Sequence, residues 1–223
     1  MQDSLYKYLP DQYVESFVGE GALLFRSLSY FRDYEDGQVR GDEFEGTKLY
    51  RPTTGLEVTL TATGEKRILP HSFESTTNED NIFVICLSTE LSADLASQFN
   101  TSVCVEVIKR VRLISGIRQA LLRRPSVKNK ILVHGEVRYY NPDDPLIVDW
   151  ALPDKIAMSK LTAFESQKEY RFAYSINGAF EVENTRLRLV PPGERMLPRA
   201  SDHPQQLLKI GSLANVCRLH HFK

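Results

Sequence analysis

Apolar positions along the chain follow two rhythms, a short one of strands and a longer helical one. SLYKYL (4–9) reads as a first strand, and ALLFRSLSYF (22–31) as a second that runs into a turn. Between them, PDQYVESFVGEG (10–21) carries Pro10 at a helix start, Tyr13, Phe17 and Val18 at helical spacing, and glycines to end it. LEVTLTATGEKRIL (56–69) sets β-branched residues around Thr-Gly, a hairpin pattern. NIFVICLS (81–88) predicts a buried central strand with TSVCVEVI (101–108) as its neighbour, joined by a short helix around 91–98. In 109–130, Val111, Ile114, Ile117 and Leu121 recur at helical spacing, which predicts an amphipathic helix. ILVHGEVRYY (131–140), EYRFAYS (169–175), TRLRLV (185–190) and a closing segment over 207–221 predict further strands, and 144–160 ends in a helix. The stretches 32–46, 72–80 and 191–204 read as polar connections.

Many short strands with a few inserted helices and no regular βαβ alternation predict an α+β fold: mixed, mostly antiparallel sheets in a single domain over 1–223. Neither glycine-rich phosphate fingerprint, GxGxxG or GxxxxGK[ST], occurs.

A formal net charge of −1 argues against a general nucleic-acid coat or a membrane-surface protein, while leaving room for a local basic groove. Cys86, Cys104 and Cys217 form no CxxC pair, and the first two sit in apolar runs, as small buried residues of a reducing compartment do. MQDSLYKYLP has neither a basic start nor an apolar core, and IFVICL is too short to span a bilayer. A cytoplasmic protein without membrane contact is expected.

Candidate chemistry falls in five places. Read as a strand, the late segment turns Glu169, Arg171, Ala173 and Ser175 one way and Tyr170, Phe172, Tyr174 and Ile176 the other. Gln167 and Glu169, two apart and about 6.5–7 Å from each other on a strand, would face one cleft. Arg171 would pair with Glu169 or grip an anionic ligand. Second, Phe25, Ser27 and Ser29 share a strand face; the hydroxyls suit holding a carboxylate, and Tyr30 and Phe31 offer flat surfaces for stacking. Third, Lys7, between Leu5 and Leu9 and beside Tyr8, needs an anionic partner if it points inward. Fourth, Asp33, Glu35, Asp36, Asp42, Glu43 and Glu45 crowd one loop with Arg32 and Arg40, but without regular metal-ligand spacing. Fifth, 109–130 holds eight Lys or Arg and no acid, either a solvated helix face or a receiver of phosphates. The five histidines show no metal spacing.

Taken together, the first three places resemble the R-S-E pattern of ADP-ribosyltransferases. The matching residues are Lys7 or Arg26, then Ser27-Leu28-Ser29, then Gln167-Lys168-Glu169. The layout is also similar to a group of bacterial proteins of unknown function that share a YKY-like first strand, an LLFRSLSYFRDYED-like second segment, a FVICLS strand and a late EYR. This resemblance implies an ADP-ribosyltransferase-like fold and transfer of ADP-ribose from NAD to a protein or nucleic acid, as a toxin or phage-defence effector does. A small antidote protein is an implied partner. It implies that Glu169 stabilises the oxocarbenium-like state, Gln167 orients the acceptor, and Ser27 and Ser29 position Glu169. Tyr30 or Phe31 would stack on nicotinamide, and Lys7 or Arg26 would contact the diphosphate or ribose; Tyr8 and Arg171 complete the expected NAD site. The first strand has Lys7 where the family has Arg, and Leu28 stands between the serines where the family has Thr. Two other readings stand beside this one: a non-enzymatic module binding a nucleotide or protein through 22–46 and the basic helix, and a metal-dependent nuclease using Asp42, Glu43, Glu45 and Glu169.

Overall fold

The computed structural model describes residues 4–33, 42–194 and 200–222. The chain opens with β1 (Leu5–Tyr8), α1 (Val14–Glu20), β2 (Ala22–Ser27) and α2 (Leu28–Arg32). After β3 (Thr47–Tyr50) come the hairpin β4 (Leu56–Thr59) and β5 (Lys66–Leu69), then β6 (Ser72–Thr76) and β7 (Ile82–Ser88). α3 (Ala93–Gln98), β8 (Val103–Val107) and α4 (Arg110–Leu122) follow, then β9 (Val133–Glu136) and β10 (Arg138–Tyr140). α5 (Pro153–Ala157), β11 (Ser159–Leu161) and β12 (Glu169–Ser175) precede β13 (Arg186–Val190), β14 (Gln205–Lys209) and β15 (Cys217–His221). The architecture is mixed α+β, and every strand pair is antiparallel except β10 with β11.

The main sheet runs β14-β2-β7-β1-β8-β15, with β12 on the other edge of β7 and β9 beyond β12. β7 and β12 pair along their whole lengths, from Glu169 opposite Ser88 to Ser175 opposite Ile82. On its other edge, β7 meets two strands in turn. β2 pairs at Arg26–Val84 and Ser27–Phe83, and β1 pairs at Tyr6–Ser88. Between these contacts β1 and β2 diverge, and the sheet forks.

Strand alternation decides which face each side chain enters. Phe83, Ile85, Leu87, Tyr170, Phe172 and Tyr174 join the larger core with Leu113, Ile117 and Leu121 of α4. Val84 and Ala173 face a smaller cluster with Leu28 and Ala157. Glu169 and Arg171 share that second face, as the alternation predicts.

Several segments depart from the sequence reading. Residues 28–32 form a short helix instead of continuing the strand, because the Ser27 hydroxyl caps it by accepting from the Tyr30 amide at 3.3 Å. The expected polar connection at 72–80 contains β6, paired with β3 on one side and β13 on the other. Arg51 and Arg188 neutralise its buried Glu74 at 3.2 and 3.0 Å, which lets a polar sequence lie inside a sheet. β8 is not the neighbour of β7; β1 lies between them. Residues 131–140 divide into two strands in different sheets, and 207–221 into the two edge strands β14 and β15. Glu35, Asp36 and Arg40 of the acidic loop lie outside the described residues.

Candidate functional site: a cleft at the fork of the sheet

The fork opens a cleft of about 410 Å³, within the range of small-molecule sites, about 300–1,000 Å³. Residues 84–88 of β7 form its floor. β1 supplies Tyr6, Lys7 and Tyr8, and β2 supplies Leu24 and Arg26. Tyr30 and Phe31 of α2, and Lys160, Gln167 and Glu169, close it. Residues 7, 26, 30 and 169 thus share one wall system although they are far apart in sequence.

Arg26 turns into the cleft because it alternates with the buried Phe25 and Ser27; its guanidinium lies 4.3 Å over the Tyr30 ring. Tyr30 and Phe31 pack edge to face at 5.3 Å. Lys7 crosses the fork and donates to the Cys86 carbonyl at 2.7 Å. Tyr8 donates its hydroxyl proton to the Glu90 carbonyl at 2.9 Å, and burial pushes that hydroxyl up to about 12. With Lys7, Arg26 and Lys160 against Glu169, the charged lining is net positive.

Glu169 is held by a buried charge network. Arg171 donates its Nε to Glu169 Oε1, and Lys160 Nζ lies 3.1 Å from Oε2. Burial alone would raise this carboxyl, but Arg171 and then Lys160 overcome it and hold Glu169 well below the usual carboxylate range. Arg171 gives two further bonds to Glu45, at 2.6 and 2.7 Å, and one to the Ala157 carbonyl at 2.7 Å. It serves the carboxylates rather than presenting itself to a ligand. Lys160 also donates to Gln167 Oε1 at 2.9 Å. Gln167 is not on the strand. It ends a 3-10 turn, and Lys168, at φ +43, reverses the chain into β12. The amide and the carboxylate still reach the same cleft, through a turn rather than through strand alternation.

Ser27 and Ser29 are buried, and their hydroxyls lie 2.8 Å apart. Their carboxylate partner is Asp80, not Glu169: Ser29 donates to Asp80 at 2.5 Å, and Ser201 donates to the same oxygen. This latch fixes α2, and with it Tyr30. Sequence reasoning anticipated a carboxylate held by these hydroxyls but chose the wrong one; Asp80 lies in the polar run just ahead of β7. Lys160, Tyr139 and Asp80 were missed. Lys160 sits in a mixed stretch without periodicity, and Tyr139, whose hydroxyl accepts from the Glu169 amide at 2.9 Å, looks like an ordinary strand aromatic.

The acids of the loop separate. Glu45 is taken by Arg171, Glu43 is exposed, and Asp42 is buried, accepting from the Phe44 amide at 3.0 Å. Among the described residues no cluster of three His, Cys, Asp or Glu is arranged to hold a metal ion, and no helix is long and apolar enough to cross a membrane. The Cys86 thiol, pushed by burial up to about 12, lies against Glu169. Comparison with family models, characterised proteins and solved structures gives no match.

Proposed function

We propose that the cleft binds NAD and that the protein is an ADP-ribosyltransferase with an ADP-ribosyltransferase-like sheet. The single observation that carries this reading is the convergence of Lys7, Arg26, Tyr30 and Glu169 on one net-positive cleft. The residues fit the ligand by type. Arg26 and Lys7 supply charge for a diphosphate, Tyr30 and Phe31 supply ring surface for a flat heterocycle, and Glu169 is a fixed anion.

When bound, NAD supplies a ribose carbon whose bond to nicotinamide can break, the electron pair leaving with nicotinamide while an acceptor lone pair forms the new bond. Glu169 stabilises the positive charge that develops at that carbon. Two cations hold it ionised and rigid, so it needs no reorganisation during the reaction. Gln167, steadied by Lys160, orients the acceptor, whose proton passes to solvent.

The test is incubation with NAD labelled in its adenylate and a cell lysate, scoring transferred label and released nicotinamide. Expected is label transfer by the wild type, lost in Glu169→Gln and reduced at least tenfold in Arg26→Ala. Absence of both transfer and nicotinamide release, or equal activity in Glu169→Gln, overturns the reading. Tight NAD binding by calorimetry without turnover would instead support a binding module on this cleft.

A further inference from the structure

Charge is strongly segregated along this chain. Residues 109–130 hold eight Lys or Arg and no acid, whereas the rest holds 20 Lys and Arg against 29 Asp and Glu. The fold keeps most of this segregation in space; of the eight, Lys128 reaches an acid, Glu181, at 3.4 Å. α4 buries Leu113, Gly116, Ile117 and Leu121 against the core, which leaves its arginines on the flanks and at the end. Arg112 donates to the Ile210 carbonyl at 3.2 Å, and Arg124 to the Leu207 carbonyl at 2.7 Å. Carbonyls orient these guanidiniums without cancelling their charge. Arg118 and Arg123 are exposed. On the opposite flank Arg110 lies 5.3 Å over the Tyr170 ring, and Tyr170 shares a 2.8 Å hydrogen bond with His134 of β9. Burial, then Arg118 and Arg110, push His134 below its ordinary value, as expected where cations gather.

We propose that α4 and the adjoining β9 form a binding surface for the phosphodiester backbone of nucleic acid, with Arg110, Arg118 and His134 on one flank and Arg112, Arg123 and Arg124 on the other. A 13-residue helix is about 20 Å long, enough to face about six phosphates of one strand at about 3.4 Å each. Five of the eight cations are arginine, whose planar fork matches a phosphate edge. The segment contains no Trp, Tyr or Phe, the aromatics that anchor a helix at a lipid interface. The acidic remainder of the molecule repels a polyanion and confines it to this face.

The inference stands apart from the transferase reading, because binding is measured without NAD. Full-length protein is titrated into fluorescein-labelled single-stranded RNA, single-stranded DNA and duplex DNA, each of about 20 nucleotides per strand, and anisotropy is read. Expected is saturable binding to at least one of them at low salt, weakened about 40-fold for duplex between 50 and 200 mM KCl if three phosphates are neutralised. The double reversal Arg118→Glu/Arg123→Glu weakens it at least tenfold, and the distant Arg67→Glu leaves it unchanged. If the double variant melts early, Arg118→Gln and Arg123→Gln are read singly, with about threefold losses expected. No binding to any oligonucleotide at low salt, or binding indifferent to these changes, overturns the proposal.

Discussion

Arg171 and Glu45 meet as a two-point fork, at 2.6 and 2.7 Å, with neither side chain more than 1% exposed. The contact joins the loop before β3 to the centre of the main sheet, and the same guanidinium holds Glu169. Removing one member strands a buried charge, which typically costs about 3–5 kcal/mol. Arg171→Met is therefore expected to lose that much stability in urea denaturation, and Arg171→Met/Glu45→Met to recover part of it, since Glu169 keeps Lys160. A single-variant loss under about 1 kcal/mol would show that the fork is not what holds this loop.

Asp42 makes a pH prediction opposite in sign to that of an ordinary ion-paired carboxylate. Burial, followed by the neighbouring Glu45, raises its carboxyl to about 6, with Lys160 and Arg171 pulling the other way. The folded state then binds a proton that the unfolded state has already lost, so stability falls as pH rises from about 4 to about 6. Asp42→Asn keeps the acceptor for the Phe44 amide and removes this penalty. It should be more stable than the wild type at pH 7.5, by about 1–3 kcal/mol, and indistinguishable near pH 4. Thermal melts at both pH values check it; equal melting at pH 7.5 counts against a raised Asp42.

Lys160 sets the acid limit of the site. With Glu169 held low, its contribution to stability is complete above the unfolded value of 4.5 and is lost as pH falls through the lower folded value. Lys160→Met removes one of two cations, so the acid-unfolding midpoint should rise. If NAD transfer is established, the acid limb of its pH profile should move the same way. An unmoved midpoint, followed by tryptophan fluorescence, would mean that Arg171 alone holds Glu169.

The Ser29–Asp80–Ser201 latch positions Tyr30 without touching the cleft. Asp80→Ala leaves two hydroxyls without their carboxylate, a loss of about 1–3 kcal/mol. If NAD binding is established, its affinity should fall several-fold while turnover at saturation changes little. Asp80→Asn, which keeps an acceptor oxygen, should restore most of the affinity. Equal affinity in all three proteins would detach the latch from ligand binding.

The fold class was legible because the apolar runs are short and well separated, and strands such as 82–88 and 169–175 carry their own burial signal. What stayed hidden depended on partners distant in sequence. Glu74 makes 72–80 look like a connection until Arg51 and Arg188 are seen beside it. Ser29 belongs by pattern to a strand, but the Ser27 cap turns the backbone into a helix first. Gln167 and Glu169 were grouped correctly for a reason that fails, since a left-handed residue and not strand pleating brings them together. Arg26 and Ser27 alternate as a strand requires: Arg26 lines the cleft, and Ser27 is buried on the other face.

The fork in the sheet also governs how this chain is assembled. Leu5–Tyr8 is made first yet lies between β7 and β8, and Ala22–Ser27 needs β14 from the far end of the sequence. Neither early strand has a sheet neighbour until β7 is made, and β2 lacks its outer one until β14. Such long-range closure is slow, and a protein halted before residue 205 would leave β2 and β8 with bare outer edges open to other chains.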